Sequence, residues 1–308
     1  MSSGDRYSLE HAYRQGAAKL RNAGVPEAKL DAWYLLEYVT GVGRAVYFAE
    51  PGKKLEDGQY RDYRALIRKR AAHIPLQHLT GEQEFMGLSF RVNEDVLIPR
   101  QDTETLVETA LELFWKGAVP AEEGRFRVLD LCTGSGCILI SLLYYLQKKG
   151  ISAGKGQDVP CVEGTGTDIS GKALAVAETN AAAHQVDATF VQGSLFEPVC
   201  GSFGLIVSNP PYIRTAEIAR LQEEVRLHDP VCALDGKEDG LYFYRKILKD
   251  AGKFLAPGGW LCFEIGFDQG KDLRCLMETC GFEQIEIFRD LAGLDRTVVG
   301  RRAEMSKE

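Results

Sequence analysis

Arg127-Val128-Leu129-Asp130-Leu131-Cys132-Thr133-Gly134-Ser135-Gly136-Cys137 is the stretch on which the fold turns. Arg127 to Leu131 reads as a short buried strand, and the apolar run from Ile138 to Leu146 as a helix. Gly134 and Gly136, at the turn between them, let the backbone approach a ligand closely, and the helix N-terminus behind them favours a negative group. A dinucleotide fingerprint needs a third small residue three positions past the second glycine, where Leu139 stands. A P-loop needs Gly-Lys-Ser/Thr, which does not follow. Neither pyrophosphate cradle is complete.

Working downstream, Cys161 to Asp168, Ala188 to Gln192, Phe203 to Asn209, Trp260 to Ile265, Glu283 to Phe288 and Thr297 to Gly300 read as further strands. Helices are expected at Lys172 to His184, Gly240 to Leu255 and Asp272 to Cys280. This alternation predicts an α/β fold: a mostly parallel sheet of seven strands covered on both faces, the last two antiparallel. Gln147 to Pro160, rich in Gly and Lys, reads as a surface insertion. Upstream, Tyr63, Leu66, Ile67, Ala71 and Ile74 recur at helical spacing, and breaks at Gly24-Val25-Pro26, Gly41-Val42-Gly43 and Pro51-Gly52 divide residues 7–80 into several short helices. Phe85, Leu88, Phe90 and Val92, with a turn at Gly87, predict a β-hairpin. The expected division is a helical domain over 1–80, a hairpin linker over 81–100 and an α/β domain over 101–308.

Charge is unevenly spread. The net value is −7, yet the first 80 residues hold 13 Lys and Arg against 9 Asp and Glu, and the remainder 24 against 35. An acidic major domain argues against DNA as its main substrate, because phosphate neutralisation drives nucleic-acid affinity. Arg64, Arg68, Lys69 and Arg70 read as a solvated helix face. The eight cysteines show no CxxC or interleaved histidine at zinc spacing, so they are expected to be reduced, mostly buried and free of metal. No run approaches a membrane span and Met1 to Leu9 lacks an apolar signal region, which predicts a cytoplasmic protein.

S-adenosylmethionine (SAM) suits the glycine turn better than a phosphate ligand, since it needs only a tight turn beneath its methionine and ribose. Its ribose hydroxyls call for a carboxylate at the end of the second strand, where Asp168 stands; by itself Asp168 reads equally well as a helix cap. The chemistry is sharper at Phe203-Gly-Leu-Ile-Val-Ser-Asn-Pro-Pro-Tyr212. Asn209 and Pro210 each precede a proline, which extends their backbone, and neither Pro210 nor Pro211 can donate a backbone hydrogen bond. The segment therefore offers acceptors, the Asn209 side-chain oxygen and the Pro210 carbonyl, beside the aromatic face of Tyr212. Such a corner suits a planar NH2 group. Hydrogen bonds from both its N–H bonds orient the group and raise electron density on nitrogen for attack on a sulfonium methyl.

These motifs resemble the PrmC/HemK family of protein-(glutamine-N5) methyltransferases. Ile98-Pro-Arg-Gln-Asp-Thr-Glu104 is similar to the family's I-P-R-P-D-T-E, with Gln101 for a proline. Asp130 to Gly136 is similar to D-L-G-T-G-T-G, with Cys132 for glycine and Ser135 for threonine. Val207-Ser-Asn-Pro-Pro-Tyr-Ile213 matches without departure, and Glu264-Ile-Gly266, Arg289-Asp290 and Asp295-Arg296 resemble the C-terminal signatures. The resemblance implies a class I SAM-dependent, Rossmann-like methyltransferase domain behind a small all-α domain. It implies that Cys132, Thr133, Gly134, Ser135, Gly136 and Asp168 hold SAM, with Leu195 where an acidic–aromatic pair near adenine is usual. Asn209 would touch cofactor and substrate, and Asn209, Pro210, Pro211 and Tyr212 would hold the target amide, with Asn209, Pro210 and Tyr212 as the catalytic set. Arg100 to Glu104 would flank the donor pocket. The acceptor implied is the glutamine of the Gly-Gly-Gln loop in class-1 peptide chain release factors. Two other readings stand beside this one: an N6-adenine DNA methyltransferase, whose flipped base the same corner would suit, and a non-catalytic protein that docks a ribosomal or release-factor partner.

Overall fold

The computed structural model describes residues 7–121, 124–152 and 161–303. The chain divides into two compact units, Met1–Glu82 with Gln222–His228, and Gln83–Leu221 with Asp229–Glu308. Its elements in order are α1 (Leu9–Asn22), α2 (Ala28–Thr40), α3 (Arg44–Ala49), α4 (Asp57–Arg70), α5 (Leu76–Thr80), the hairpin β1 (Glu82–Phe85) and β2 (Leu88–Arg91), then α6 (Glu104–Trp115) and β3 (Arg125–Leu131). There follow α7 (Cys137–Ser152), β4 (Cys161–Asp168), α8 (Gly171–Ala183), β5 (Ala188–Gln192), β6 (Phe203–Ser208), α9 (Thr215–Ile218), α10 (Glu223–His228) and α11 (Val231–Leu234). The chain closes with α12 (Tyr242–Phe254), β7 (Leu255–Glu264), α13 (Gly270–Thr279), β8 (Phe282–Arg289) and β9 (Asp295–Arg302).

In the first unit, Leu9, Leu20, Leu35, Leu36, Tyr63 and Ile67 bury one face each of α1, α2 and α4. Ser8 caps α1 through the His11 amide, a Glu56–Gln59 capping box opens α4, and left-handed Gly41 and Gly81 end α2 and α5. The expected helix breaks thus fall where the caps are. Arg64, Arg68 and Lys69 are exposed, but Arg70 is not part of that solvated face. It is 4% exposed and pairs with Asp31 at 2.7 Å and Glu224 at 2.5 Å. That pairing explains why a segment far along the chain, Gln222–His228, belongs to the helical unit rather than to the catalytic span expected for it. Removing one partner from a buried ion pair costs about 3–5 kcal/mol. Arg70→Ala is therefore expected to destabilise the full chain to that extent in urea unfolding, whereas exposed Arg64→Ala should change it by less than about 0.5 kcal/mol; equal effects would contradict the buried pair.

The second unit is built on a seven-stranded sheet in the order β5-β4-β3-β6-β7-β9-β8. The first five are parallel, while β9 runs antiparallel to both β7 and β8. β3 and β6 are buried along most or all of their length because helices cover both faces. Leu139, Ile140, Leu142 and Leu143 of α7 fill one side, and Tyr244, Ile247, Leu248 and Ala251 of α12 the other. The hairpin turns at Met86-Gly87, both left-handed, as a two-residue hairpin turn requires. It is expected from sequence as a linker, yet it is counted with the second unit. Buried Asn180 of α8 explains this: its side chain accepts from the Arg91 amide and donates to the Arg91 and Ser135 carbonyls.

Other features depart from the sequence reading. α9, α10 and α11 carry no strong apolar period and were not foreseen. The cysteines are not mostly buried. Cys161, Cys200, Cys232, Cys275 and Cys280 are exposed, since they fall at a strand start, in loops and on the outer faces or ends of short helices. Of Tyr242-Phe243-Tyr244 only Tyr244 is buried, because at helical pitch three consecutive residues cannot share one face. The predicted insertion is helical as far as Ser152, and its residues 153–160 lie outside the described residues.

Candidate active site

Strand order reverses between β3 and β6, and in open α/β sheets ligands bind beyond the carboxyl ends of the strands at such a reversal. Register makes the point concrete. Leu131 lies beside Thr167 of β4 and Ser208 of β6, so the next residues, Cys132, Asp168 and Asn209, leave the sheet side by side at one level. They line a single cavity of about 430 Å³. Thr133, Gly134, Ser135 and Leu195 line it too. Every residue foreseen for SAM is therefore at its wall except Gly136, which acts from behind.

The glycine turn is left-handed at Cys132, Gly134 and Gly136, with φ of 61°, 54° and 79°. Gly136 is doubly required, because a Cβ there would sit 2.8 Å from Ile140 and 3.1 Å from Ala177, the contact between α7 and α8. Cys132 stands where the resembled pattern has glycine, and its left-handed φ explains that preference; a side chain there costs about 1 kcal/mol. The Thr133 amide donates to the Thr167 carbonyl, and the Gly134 amide to Oδ2 of Asp168.

Asp168 also accepts from the Ser170 amide, while Ser170 itself caps α8. The carboxylate is thus not the helix cap. It ties the glycine turn to β4 and keeps lone pairs for the cavity. Burial pushes its pKa up, against those backbone donors. Asp130 beneath the turn is fully buried and accepts from Thr133 at 2.6 Å. Burial pushes it up to about 7, with Thr133 pulling the other way. A carboxyl with a higher pKa folded than unfolded stabilises the fold most below its unfolded value, and that contribution fades as pH rises through its folded value. The midpoint of thermal unfolding is expected to fall between about pH 4 and about pH 7, and Asp130→Asn to flatten that slope. An unchanged slope would assign the dependence elsewhere.

Asn-Pro-Pro-Tyr divides its duties. Asn209 and Pro211 line the cavity, whereas Pro210 is buried and Tyr212 turns away from it. The Tyr212 hydroxyl donates to Oε1 of Glu264 at 3.1 Å, and burial with that neighbouring carboxylate raises the phenol pKa. Nδ2 of Asn209 lies 3.5 Å from Oγ1 of Thr103, which follows Arg100 in the cavity wall. Asp102 instead pairs with Arg296, Arg100 with Asp229, and Glu104 accepts from the Met86 amide. Only part of the Arg100–Glu104 segment expected to flank the pocket does so.

Sequence reasoning missed the far wall, formed by Val231, Cys232, Asp235, Lys237 and Phe243. It also missed the brace on the Pro-Pro-Tyr corner. Ile213 exchanges backbone hydrogen bonds with Leu234 and Gly236, and a Cβ at Gly236 or Gly240 would collide with the Tyr212 backbone at 2.7 or 2.4 Å. The turn dipeptides Asp235-Gly236 and Asp239-Gly240 were the available signal.

The seven-stranded sheet has the order and helix cover of a class I methyltransferase fold. The catalytic domain of hMettl16 in complex with the MAT2A 3′UTR hairpin 6 has the same fold, at TM-score 0.51 and 15% identity over 76% of this chain and 81% of that one. Residues 11–81 match the PrmC N-terminal domain and residues 118–225 the methyltransferase small domain. The release factor glutamine methyltransferase of Agrobacterium fabrum is 38% identical over 98% of this chain and all of its own length. That of Geobacter sulfurreducens is 40% identical over 92% of each. The chain belongs to the release factor glutamine methyltransferase family. Among the described residues, no helix is long and apolar enough to cross a membrane.

Proposed function

We propose that this protein transfers a methyl group from SAM to the side-chain amide nitrogen of the Gly-Gly-Gln glutamine in a class-1 peptide chain release factor. The observation that carries it is the common level at which Cys132, Asp168 and Asn209 leave β3, β4 and β6 around one cavity. The cavity's volume suits a nucleoside-sized ligand. The residues fit SAM: Gly134 has open space in front of its Cα, Asp168 keeps acceptors for ribose hydroxyls, and Leu195 offers an apolar surface for a base. Phe243 adds an aromatic wall.

SAM supplies an electrophilic methyl carbon on sulfur. The chain supplies position. Asn209 Oδ1 and the Pro210 carbonyl accept the two amide N–H bonds, which orients the group and raises electron density on the nitrogen that faces that carbon. Pro211 and Tyr212 hold the corner rigid. The nitrogen–carbon bond forms as the carbon–sulfur bond breaks, S-adenosylhomocysteine leaves, and the now acidic nitrogen gives up a proton to solvent. No strong base is needed beforehand. We assign substrate docking to the helical unit, which carries the excess of basic residues and the match to the PrmC N-terminal domain.

Incubation with methyl-labelled SAM, a release factor and duplex DNA tests the reading. Label is expected on the release factor. Label on DNA alone would reverse the assignment to adenine N6, and binding of the release factor without turnover would reduce the protein to a docking module.

A further inference from the structure

A ligand that fills the cavity of about 430 Å³ enters and leaves only if part of its wall gives way. Two separate stretches of chain supply much of that wall, Asp95 to Thr103 and Pro230 to Lys237. They are held with unequal firmness. Val96, Ile98 and Thr103 of the first are buried, and Val96 packs with Val92 and with Ala173 of α8. The second is α11 with the turn after it. There Val231 is 58% exposed, Cys232 is exposed, and of the apolar side chains only Leu234 is buried. A wall with so few buried apolar contacts belongs to the low-stability end of a fold, where local opening begins.

The two ends of this weaker wall are pinned by different means. At the end nearer Lys237, Ile213 exchanges backbone bonds with Leu234 and Gly236, and Asp235 accepts from the Thr215 hydroxyl and the Lys237 ammonium. At the other end stands Asp229, whose side chain is wholly buried and whose Oδ2 accepts from Nη2 of Arg100 at 2.7 Å. Arg100 belongs to the firmer stretch and itself lines the cavity. The pair thus joins the two stretches of wall. The Arg100 side chain is 43% exposed, so its charge stays hydrated when the contact parts. A pair buried on both sides, such as Arg70–Asp31, has no such freedom.

We propose that Arg100 and Asp229 are positioning residues that latch the Pro230–Lys237 wall while SAM occupies the cavity, and so set how fast cofactor and product leave; this rests on the reading of the cavity as the SAM site. Parting of the pair frees the Asp229 end, and the backbone bonds at Leu234 and Gly236 form the hinge side. The latch acts once the ligand is seated. Its loss therefore falls on dissociation more than on association.

Stopped-flow dissociation of SAM from the full chain, with site-resolved alkylation of its cysteines, tests this. Arg100→Gln and Asp229→Asn are each expected to speed dissociation about 10- to 100-fold, as for truncation of one partner of a hydrogen-bonded charge pair, with association changed less than about threefold. The double variant should release SAM no faster than the faster single one, because both remove the same contact. Arg100→Lys keeps the charge without the fork, should fall between, and gives the same test if Arg100→Gln folds poorly. Saturating SAM should slow alkylation of Cys232 in the unaltered protein and far less in Arg100→Gln. Cys262, wholly buried in β7, should stay protected in both, which separates opening of the wall from loss of the fold. Unchanged dissociation in these variants, rates that multiply in the double one, or equal protection of Cys232 with and without Arg100 would overturn the latch. Failure of the unaltered protein to bind SAM would overturn the functional reading and the latch with it, whereas binding without transfer to a release factor would overturn only the choice of acceptor.

Discussion

Asn209→Ala is expected to lower kcat for transfer to a release factor by about 10²- to 10³-fold, the loss that follows removal of one preorganised polar group from a reacting centre. SAM affinity should stay within about threefold, because the cavity wall opposite, from Cys132 to Ser135 with Asp168, is untouched. The fold should tolerate the change. Among the described residues the Asn209 side chain makes one long hydrogen-bond contact, to Thr103, and the brace on the next residues comes from backbone bonds of Ile213 to Leu234 and Gly236. A loss in kcat without a loss in binding is the signature of a group that acts on the acceptor. Unchanged turnover would remove Asn209 from the reaction, and a parallel loss of SAM affinity would make it a cofactor residue only.

Asp168→Ala should show the opposite split, with SAM binding weakened about 10²- to 10⁴-fold by calorimetry. Hydrogen bonds to a charged group contribute about 1.5–3 kcal/mol each, and two ribose hydroxyls would lose theirs together. A structural share must be separated out, since Asp168 also accepts the Gly134 and Ser170 amides. Asp168→Asn keeps the shape and one acceptor oxygen and should fall between wild type and alanine in affinity. Urea unfolding without SAM should then show a far smaller difference between the two variants than calorimetry does. Unaltered affinity in Asp168→Ala would contradict the ribose assignment.

Much of this arrangement is legible in the chain, and the physical reasons are local. Buried parallel strands announce themselves as apolar runs such as Phe203 to Val207, and glycines mark the turns that need positive φ or close approach, as at Gly134 and Gly136. A motif on one strand end is therefore easy to place. What escaped is non-local. Nothing near Arg70 shows that its partner is Glu224, about half the chain away, because ion pairing across long separations leaves no periodic trace. Tyr212 reads as an aromatic face for substrate, yet its hydroxyl is spent on Glu264, a contact made only once β6 and β7 lie side by side. The wall at Val231 to Lys237 belongs to short helices and turns whose apolar residues are too few to show a period. Cysteines are buried by tendency, and at five exposed positions that tendency lost to the geometry of helix faces and strand ends.

Fragmentation mass spectrometry of a release factor incubated with this protein and SAM probes the amide-gripping corner most directly. The account predicts one added methyl group, on the side-chain nitrogen of the Gly-Gly-Gln glutamine, accumulating at least about 100-fold more slowly when Asn209 is alanine. A methyl group on any other residue, or on that glutamine with Asn209 replaced and turnover intact, would contradict it.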